Sequence, residues 1–452
     1  MVTAAAESML GLSNLLGGPE DDRFDAMEAW YPVFYLRDLD KTKPAAFTLL
    51  DIDLVLWWDK DSNSWRAMED QCPHRLAQLS EGRIAEDGKL ECPYHGWAFN
   101  GQGGCDRIPQ QSTDQQAETS SRACVKTFKT TMAQGMLFVY LGVHGDRVPV
   151  PEIGPWVPDS DGWICFDTFR DLPYDAFTLL ENVLDASHLP FTHHKSVGNR
   201  VNAAPMDLEI TESDRHGFKG IWPEGPRKGK LGTQTTTFIA PNLMWHDLTS
   251  KQFGRTITAV YATPIRKGEC RLFARFPFQF SSKIPEFFIK ITPRWYSHMG
   301  QNAILEDDQV FLHLQERYLA QKGGADQFSK AFYLPTKADL FVFEFRQWIN
   351  QYQAEPFPGQ ALPPRQTRSQ LLDRHSSHTQ NCVSCQGALK RIRRIRLGIV
   401  GAIVLLLAAA QIVVAPVMTV GGAIALLGLW WGLGKWERKL LMGDPIPARN
   451  RS

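Results

Sequence analysis

Two short cysteine–histidine pairs have the composition and spacing of a metal site. Cys72 and His74 are separated by one residue, seventeen residues follow, and Cys92 is separated from His95 by two residues. Thiolates and neutral imidazoles bind iron and zinc through sulfur and nitrogen. Each pair contains a proline, which restricts the backbone and stiffens the loop. The sequence therefore predicts two tight loops that close on a metal centre from opposite sides.

The pairing of ligand types favours a 2Fe-2S cluster over zinc. Two thiolates on one iron and two imidazoles on the other leave the cluster less negative than an all-cysteine cluster, which raises its reduction potential. Zinc fingers instead pair cysteine with cysteine and histidine with histidine, whereas each pair here is mixed. Zinc remains the alternative, since two cysteines and two histidines are also a zinc ligand set.

A second group of potential metal ligands lies downstream, where Asp185, His188 and His193 follow one another closely. On a predicted helix, Glu181, Asp185 and His188 share one face because they lie four and three residues apart. We expect Pro190 to end that helix, so that His193 turns back towards His188. Two imidazoles and one carboxylate form the facial triad of mononuclear Fe(II), which leaves positions open for O2 and substrate.

The carboxylate of such a triad must come from another part of the chain. The segment 304–313 is a predicted helix that carries Glu306, Asp307 and Asp308 in succession. All three remain open on the residues alone, because acidic side chains are also common at the solvated start of a helix.

These motifs resemble those of the Rieske non-haem iron ring-hydroxylating oxygenases. Cys72-Pro-His-Arg-Leu and Cys92-Pro-Tyr-His-Gly-Trp resemble the Rieske motif, and the stretch from Asp185 to His193 resembles the second motif of that family. The resemblance implies that Asp185 bridges a ligand histidine and His95 of the partner subunit as an electron conduit, in a head-to-tail homotrimer. The implied cluster ligands are Cys72, His74, Cys92 and His95, and the implied ligands of the mononuclear Fe(II) are His188, His193 and Asp308.

Three further features resemble one branch, the pheophorbide a oxygenase group, which includes chlorophyllide a oxygenase and a translocon-associated Rieske protein. They are the phrase that runs from Glu181 to His194, a C-terminal pair of apolar segments, and Cys382-Val-Ser-Cys385 just before that pair. The resemblance implies a monooxygenase that uses O2, electrons from ferredoxin or an equivalent reductase, and a hydrophobic chlorophyll-derived tetrapyrrole. The alternative is a membrane-bound redox-sensing or translocon-associated electron-transfer protein.

The same resemblance implies that Cys382 and Cys385 are redox thiols under thioredoxin control. His375 and His378 lie just upstream, so a small zinc site is a competing interpretation. The third interpretation is that these are two thiols without a function in a polar linker.

Two uncharged runs near the C-terminus, 397–415 and 417–434, predict a transmembrane hairpin. Each is long enough to cross about 30 Å of hydrocarbon at about 1.5 Å per residue; a buried pair of core helices is the alternative. Basic residues flank both runs, so we expect both ends on the cytoplasmic or stromal side and a turn at Pro416 on the far side. The protein is therefore predicted to contact lipid in the thylakoid or the plasma membrane.

Length and composition indicate a multidomain globular chain. With 452 residues, 43% of them hydrophobic, the chain can build more than one core, and its balance of 49 basic and 49 acidic residues gives no sign of a nucleic-acid partner. The start of the chain lacks the basic segment of a secretory signal and the arginines of a transit peptide, so we expect a reducing compartment. The predicted division is a mobile arm at 1–27, a Rieske domain at 28–147, a mononuclear iron domain at 160–355, a linker with the two thiols at 356–396, two transmembrane helices at 397–434 and a tail at 435–452.

The elements that position these residues indicate an α+β fold. We expect an all-β N-terminal Rieske domain, a helix-grip-like α+β catalytic domain and a transmembrane helical hairpin. In the first domain the run 47–58 predicts one strand, and 59–63 predicts a turn. In the second domain, strands are predicted at 164–170, 233–239, 256–263 and 270–277, and helices at 176–188, 302–321 and 337–353.

Overall fold

The N-terminal domain consists of two antiparallel sheets. The computed structural model describes residues 23–158, 160, 162–250, 254–324, 327–410 and 416–451, so most of the predicted arm lies outside the described residues. The larger sheet has the strand order β1-β10-β9-β4-β3-β2, and the smaller sheet has the order β5-β6-β7-β8. The strands are β1 Trp30–Tyr35, β2 Ala45–Leu49, β3 Ile52–Asp59, β4 Ser64–Glu69, β5 Arg83–Ile84, β6 Leu90–Glu91, β7 Ala98–Phe99, β8 Cys105–Arg107, β9 Thr127–Ala133 and β10 Met136–Tyr140.

The single strand predicted over 47–58 is wrong, because the segment forms a hairpin of β2 and β3. Leu50 and Asp51 connect the two strands with φ angles of 52° and 63°. Two successive residues with positive φ form the kind of tight turn that suits a hairpin. Such turns usually contain asparagine or glycine, and the apolar pattern here continues through the turn without either residue.

The second domain is built on one antiparallel sheet of seven strands, in the order β11-β17-β16-β15-β14-β13-β12. With the N-terminal β domain, it bears out the predicted α+β fold class. Its elements are β11 Ile164–Leu172, α1 Ala176–Leu184, α2 Leu189–Thr192, β12 Glu209–Asp214, β13 Gly217–Trp222, β14 Gln234–Ile239, β15 Leu243–Ser250, β16 Gly254–Arg266, β17 Glu269–Gln279, α3 Lys283–Ile291, α4 Arg294–Gln321, α5 Phe328–Ala331 and α6 Leu340–Gln351.

An aromatic core fixes α1 and α6 on the sheet. Phe345 and Trp348 of α6 lie with ring centroids 5.1 and 5.2 Å from Phe238 of β14. Phe177 of α1 packs edge-on against Phe345 at 5.6 Å. Full burial of a large apolar side chain contributes roughly 1.5–3 kcal/mol. This packing holds the end of α1, from which the second metal motif continues, at a fixed place on the sheet.

The two domains are joined through the backbone of β1. The Trp30 carbonyl accepts a hydrogen bond from Asn242 Nδ2 at 2.8 Å, and the Pro32 carbonyl accepts one from Thr263 Oγ1 at 2.6 Å. Both donors are buried in the second domain. Buried carbonyl groups need such partners, so these bonds fix the strand at the domain boundary.

The C-terminal region contains two long helices that pack against each other, with short helices before them. The bounds are α7 Arg368–Leu371, α8 Arg374–Ser377, α9 Val383–Ala410 and α10 Pro416–Leu441. The segment predicted as a linker thus holds α7, α8 and the first part of α9. Among the described residues one helical stretch, Val417–Leu441, is long and apolar enough to cross a membrane, and its apolar window is 6% buried. Pro416 begins α10, and part of the predicted run 397–415 lies outside the described residues.

Candidate metal centres

The first cysteine–histidine pairs lie on two loops of the same form. The backbone N–H of Cys72 and that of Cys92 each donate to the carbonyl five residues later, at 2.9 and 2.8 Å. The fifth residue of each loop has a positive φ, 57° for Leu76 and 75° for Gly96. Glycine adopts this conformation without strain. The matching turns direct both pairs of side chains towards the same space.

The structure brings the four predicted cluster ligands together. The thiols of Cys72 and Cys92 are both buried and interact with each other, and the ring centroids of His74 and His95 lie 4.5 Å apart. Burial, with the neighbouring Cys92 thiol, raises the pKa of Cys72 to about 12, so two thiolates would need positive charge beside them. Within the described part of the chain, His74 Nδ1 is buried without a hydrogen-bond partner. Adjacent thiols and adjacent imidazoles fit a 2Fe-2S cluster.

The tips of the two loops are open to solvent. Tyr94 and Leu76, next to the histidines, are 60% and 69% exposed, whereas the cysteines are buried. His74 stacks on Trp97 with centroids 4.8 Å apart, which orients its ring. The histidine side of the site is therefore the side that another protein surface can approach.

The helix that precedes the second site ends earlier than predicted. Helix α1 ends at Leu184, and Asp185 leaves the helical conformation with φ −81° and ψ 94°. Its Oδ1 accepts a hydrogen bond from the Ser187 N–H at 2.8 Å and so caps a 3-10 turn over 186–188. Pro190 does not end a helix, because it lies in the first turn of α2, where no N–H is required.

Because of this break, the prediction that Glu181 shares a face with the metal ligands is wrong. Glu181 is buried and forms an ion pair with Arg346 of α6. It also accepts a hydrogen bond from Gln315 Nε2 at 3.1 Å. Glu181 therefore joins α1, α4 and α6 and takes no part in the metal centre.

The structure brings His188, His193 and Asp308 together. One ligand atom from each lies within 4.8 Å of the others. Asp308 Oδ2 is 3.2 Å from His193 Nε2, and Oδ1 is 3.9 Å from His188 Nε2. In the described residues Asp308 Oδ1 is buried without a hydrogen-bond partner, at a cost of roughly 1–3 kcal/mol that a bound cation offsets. Two imidazoles and this carboxylate fit one mononuclear iron.

Each imidazole has an oxygen atom close to its other nitrogen. His188 Nδ1 donates to the backbone carbonyl of Asp185, which leaves Nε2 to face Asp308. His193 Nδ1 lies 3.5 Å from Asp307 Oδ2. Burial lowers the pKa of His193, but the two aspartates outweigh it and raise that pKa to about 9. The surroundings of the His193 ring therefore favour a positive charge, which a bound metal ion would supply.

The structure separates the three candidate carboxylates by their partners. Glu306 is paired with two buried arginines, Arg170 at 2.6 Å and Arg374 at 2.5 Å. Asp307 lies behind His193, at its Nδ1. Of the three, Asp308 is the one that faces Nε2 of both histidines, which supports the choice of Asp308 made from the sequence.

A residue near the C-terminus reaches this centre without any signal in the sequence. Arg449 donates to the carbonyl of Asp307 at 2.7 Å and to that of Thr192 at 3.2 Å. Its guanidinium also lies 5.8 Å from the ring centroid of Phe311. The tail that follows α10 therefore binds the backbone directly before His193 and directly before Asp308.

A cavity of about 1090 Å³ is lined by the chain segment that carries His188. Its wall includes Ala186, Leu189 and Phe191, which flank His188 in the chain, together with Trp222 of β13. The basic residues Arg227, Lys228 and Lys337 also line it, together with two acidic residues, Asp207 and Glu224. Lys337 pairs with Asp207 at 2.5 Å, so Arg227 and Lys228 are the basic residues that outnumber Glu224. A large, mainly apolar cavity with a few charged groups suits a ring compound that bears an anionic substituent.

Cys382 and Cys385 are both buried, in contrast to thiols that exchange readily with a partner protein. The structure places His378 beside them, together with His298 of α4, while His375 is exposed. The role as redox thiols stays a prediction.

Comparison with known proteins finds matches to both domains of this chain. Residues 29–129 match the family model of the Rieske 2Fe-2S domain, and residues 238–326 match that of pheophorbide a oxygenase. The chloroplastic pheophorbide a oxygenase of Arabidopsis thaliana is 38% identical over 422 residues, which cover 85% of this chain and 76% of that protein.

Other matches extend over similar lengths. The chloroplastic flavonoid 8-hydroxylase 2 of Ocimum basilicum is 32% identical over 93% of this chain and 85% of its own length. Among solved structures, NdmB of Pseudomonas putida CBB5 matches with a TM-score of 0.57 and 21% identity, over 73% of this chain and 93% of that one. At this identity the structural match shows the fold alone.

Proposed function

Because the chain belongs to the pheophorbide a oxygenase family of Rieske non-haem iron oxygenases, we propose that it inserts one atom of O2 into a chlorophyll-derived tetrapyrrole, with electrons from ferredoxin. The observation that carries the proposal is a triad of two histidines and an aspartate, with a large, mainly apolar cavity lined by the segment that carries His188. When bound, the cluster supplies electrons and the mononuclear iron supplies the activation of O2.

We propose that the cluster ligands are those predicted from the sequence, and that His188, His193 and Asp308 bind the mononuclear iron. The unpartnered Asp308 Oδ1 and the convergent Nε2 atoms support the second assignment. The Asp185 carbonyl accepts a hydrogen bond from His188, and Asp307 lies behind His193, 3.5 Å from its Nδ1. We expect the open coordination positions of the iron to face the cavity that Ser187 and Leu189 line.

We further propose that Asp185 connects the iron site to the cluster of another subunit in a homotrimer. Its Oδ1 is held by Ser187, whereas Oδ2 lies 3.8 Å from His188 Nδ1 on a partly exposed side chain. The exposed histidine side of the cluster loops is complementary to such a contact. Repeated head-to-tail contacts of this kind close into a ring when the rotation between subunits allows it, and we propose a ring of three.

The basic side of the cavity gives a prediction about the substrate. A tetrapyrrole acid presents an apolar ring and a carboxylate, and Arg227 and Lys228 line the cavity next to its apolar wall. We expect the double change Arg227→Glu and Lys228→Glu to raise KM for the acid about tenfold, or about 1.4 kcal/mol, with a smaller change in kcat. Steady-state kinetics with pheophorbide a and its methyl ester measure this.

Two controls show whether the rise in KM comes from recognition of the substrate carboxylate. Lys230→Glu changes a nearby lysine that does not line the cavity, and its KM should equal that of the parent enzyme. The methyl ester lacks the carboxylate, so the double variant should leave its KM unchanged. An equal rise for acid and ester would contradict recognition of the carboxylate.

The reaction itself is tested with reconstituted enzyme, ferredoxin, labelled O2 and a panel of chlorophyll derivatives and flavonoids. We expect a tetrapyrrole product heavier by one labelled oxygen atom, with oxygen uptake in proportion. Flavonoids belong in the panel because one relative bears the name of a flavonoid hydroxylase. Labelled flavonoid products alone would contradict the substrate class, and uptake uncoupled from every compound would favour the electron-transfer alternative.

We propose that α9 and α10 anchor the protein in a membrane. Arg396 lies over Trp430 at 4.2 Å and Lys435 over Trp431 at 3.5 Å, an arrangement typical of the lipid–water interface. Trp436 contacts Trp295, with centroids 5.7 Å apart, next to helix α3. The exposed apolar side chains of α3 continue this surface and are Ile284, Phe287, Phe288 and Ile291.

Trypsin gives a test of this arrangement, because 397–434 contains no lysine or arginine. In sealed vesicles with the soluble domains outside, we expect cleavage after Arg396 and Lys435 from the same side. A fragment of 397–435 should then remain in the membrane after an alkaline wash. Cleavage at one end only would contradict the hairpin, and release of the fragment would contradict the anchor.

A further inference from the structure

Four buried side chains converge where the first long apolar helix, α9, begins. They are His298 of α4, His378 after α8, and Cys382 and Cys385, and each is at most 1% exposed. One ligand atom from each lies within 4.8 Å of all the others. This cluster takes no part in either iron centre described above.

The hydrogen bonds of the two imidazoles fix where their protons lie. His298 Nε2 bonds to the Asp167 carbonyl at 3.0 Å, and His378 Nδ1 bonds to the Phe169 carbonyl at 2.7 Å. A carbonyl only accepts hydrogen bonds, so these outer nitrogens carry the ring protons. The inner nitrogens, His298 Nδ1 and His378 Nε2, face each other at 2.9 Å. In neutral rings these are two lone pairs, which repel unless a cation lies between them.

The two sulfur atoms complete the group around the same point. Cys385 Sγ lies 3.3 Å from His378 Nε2 and 3.4 Å from His298 Nδ1, and Cys382 Sγ lies 3.6 Å from His298 Nδ1. Zinc bonds of about 2.3 Å to sulfur and about 2.0–2.1 Å to nitrogen place tetrahedral ligand atoms roughly 3.3–3.8 Å apart. A bound ion would require the histidine nitrogens to separate by only a few tenths of an ångström.

We propose that His298, His378, Cys382 and Cys385 bind one zinc ion in a closed structural site. Two thiolates and two imidazoles around one point are a preferred ligand set for zinc. Two thiolates also neutralise the ion, which a buried site requires. The backbone carbonyls of Asp167 and Phe169 supply the outer hydrogen bonds that usually orient zinc-bound histidines.

The site joins parts of the chain that carry different functions. His298 lies on α4, the helix that also carries Asp308, and the two cysteines lie at the start of α9. The outer hydrogen bonds reach β11 of the catalytic sheet. Zinc would therefore fasten the first apolar helix to the helix and the sheet that support the iron centre.

X-ray absorption at the zinc edge tests the proposal on the complete enzyme, because iron does not contribute at that edge. We expect about one zinc per chain, with two sulfur ligands at about 2.3 Å and two nitrogen ligands at about 2.0–2.1 Å. Cys382→Ser and Cys385→Ser should each lose the zinc, as measured by elemental analysis. Cys124→Ser changes an exposed thiol elsewhere and should retain it.

The spectrum of the unmodified enzyme decides the question even if the serine variants fail to fold. Full iron content without zinc would overturn the proposal. So would zinc bound only by oxygen and nitrogen, or zinc that both serine variants retain. A disulfide between Cys382 and Cys385, seen as a mass lower by two hydrogens in the untreated enzyme, would overturn it in favour of redox thiols.

Discussion

Asp308→Ala abolishes binding of the mononuclear iron and, with it, turnover, while the spectrum of the 2Fe-2S cluster stays unchanged. The change removes the carboxylate that faces Nε2 of both His188 and His193 and leaves two imidazoles, which are too few to hold Fe(II) firmly. The cluster loops belong to the other domain and make no use of this side chain. Iron analysis together with the electron paramagnetic resonance of the reduced cluster measures both effects.

Asp307→Asn is the matched control for that experiment. Asp307 lies behind His193 and does not face His188, so the amide should weaken the orientation of one ligand and reduce iron affinity about 10–100-fold. If Asp308→Ala retained its iron while Asp307→Asn lost it completely, Asp307 would be the ligand and the present assignment would fail.

Asp185→Asn leaves both metal centres filled but slows turnover about 100-fold. The amide keeps an oxygen that can accept the bond from Ser187 N–H, so the local backbone is retained. It loses the negative charge and one acceptor beside His188, where we propose that the cluster histidine of the next subunit binds. The rate at which a reduced cluster is reoxidised in the presence of substrate and O2 measures this step.

A mixture of subunits shows whether that step crosses between chains. One variant, His95→Cys, should lack a functional cluster but keep its iron site, and Asp185→Asn should have the reverse defect. Co-expressed in one oligomer, the two should regain activity, because the intact cluster of one subunit then serves the intact iron site of another. Mixed oligomers as inactive as either variant would rule out transfer between subunits. Ser187→Ala, which removes only a hydroxyl bonded to Asp185, should show a mild effect.

The cysteines and histidines of the two candidate iron centres could be proposed from the sequence because short-range spacing places each pair together, whereas Asp308 was proposed from the family resemblance. Cys72 and His74 lie on one tight loop, and His188 and His193 lie within two turns of backbone, so the chain itself brings them close. Four strands of the seven-stranded sheet, β11, β14, β16 and β17, were predicted for the same reason, since alternation along one strand is local. Strands β12, β13 and β15 were not predicted. The expected outline of the fold was therefore correct.

The errors arose where tertiary contacts decide local structure. The predicted helix continues through 185–188, whereas Asp185 ends α1 and caps a 3-10 turn there. In the same way, His375 is close to the thiols in sequence, but the fold turns it to solvent and brings His298 to them from α4. Arg449 was missed because it is separated from Thr192 by more than half of the chain. Contacts over such distances leave no pattern in a single sequence.

The contacts of the C-terminal tail with Asp307 and Thr192 determine how the proposed membrane anchor should be removed from this enzyme. Stopping the chain before the two apolar helices would also delete Arg449. The backbone carbonyls of Asp307 and Thr192 would then lose the hydrogen bonds that Arg449 donates to them. A better strategy excises 397–434 and splices the flanking helices through a short hydrophilic connector. The tail then keeps its place, and crystallisation or spectroscopy can proceed in plain buffer.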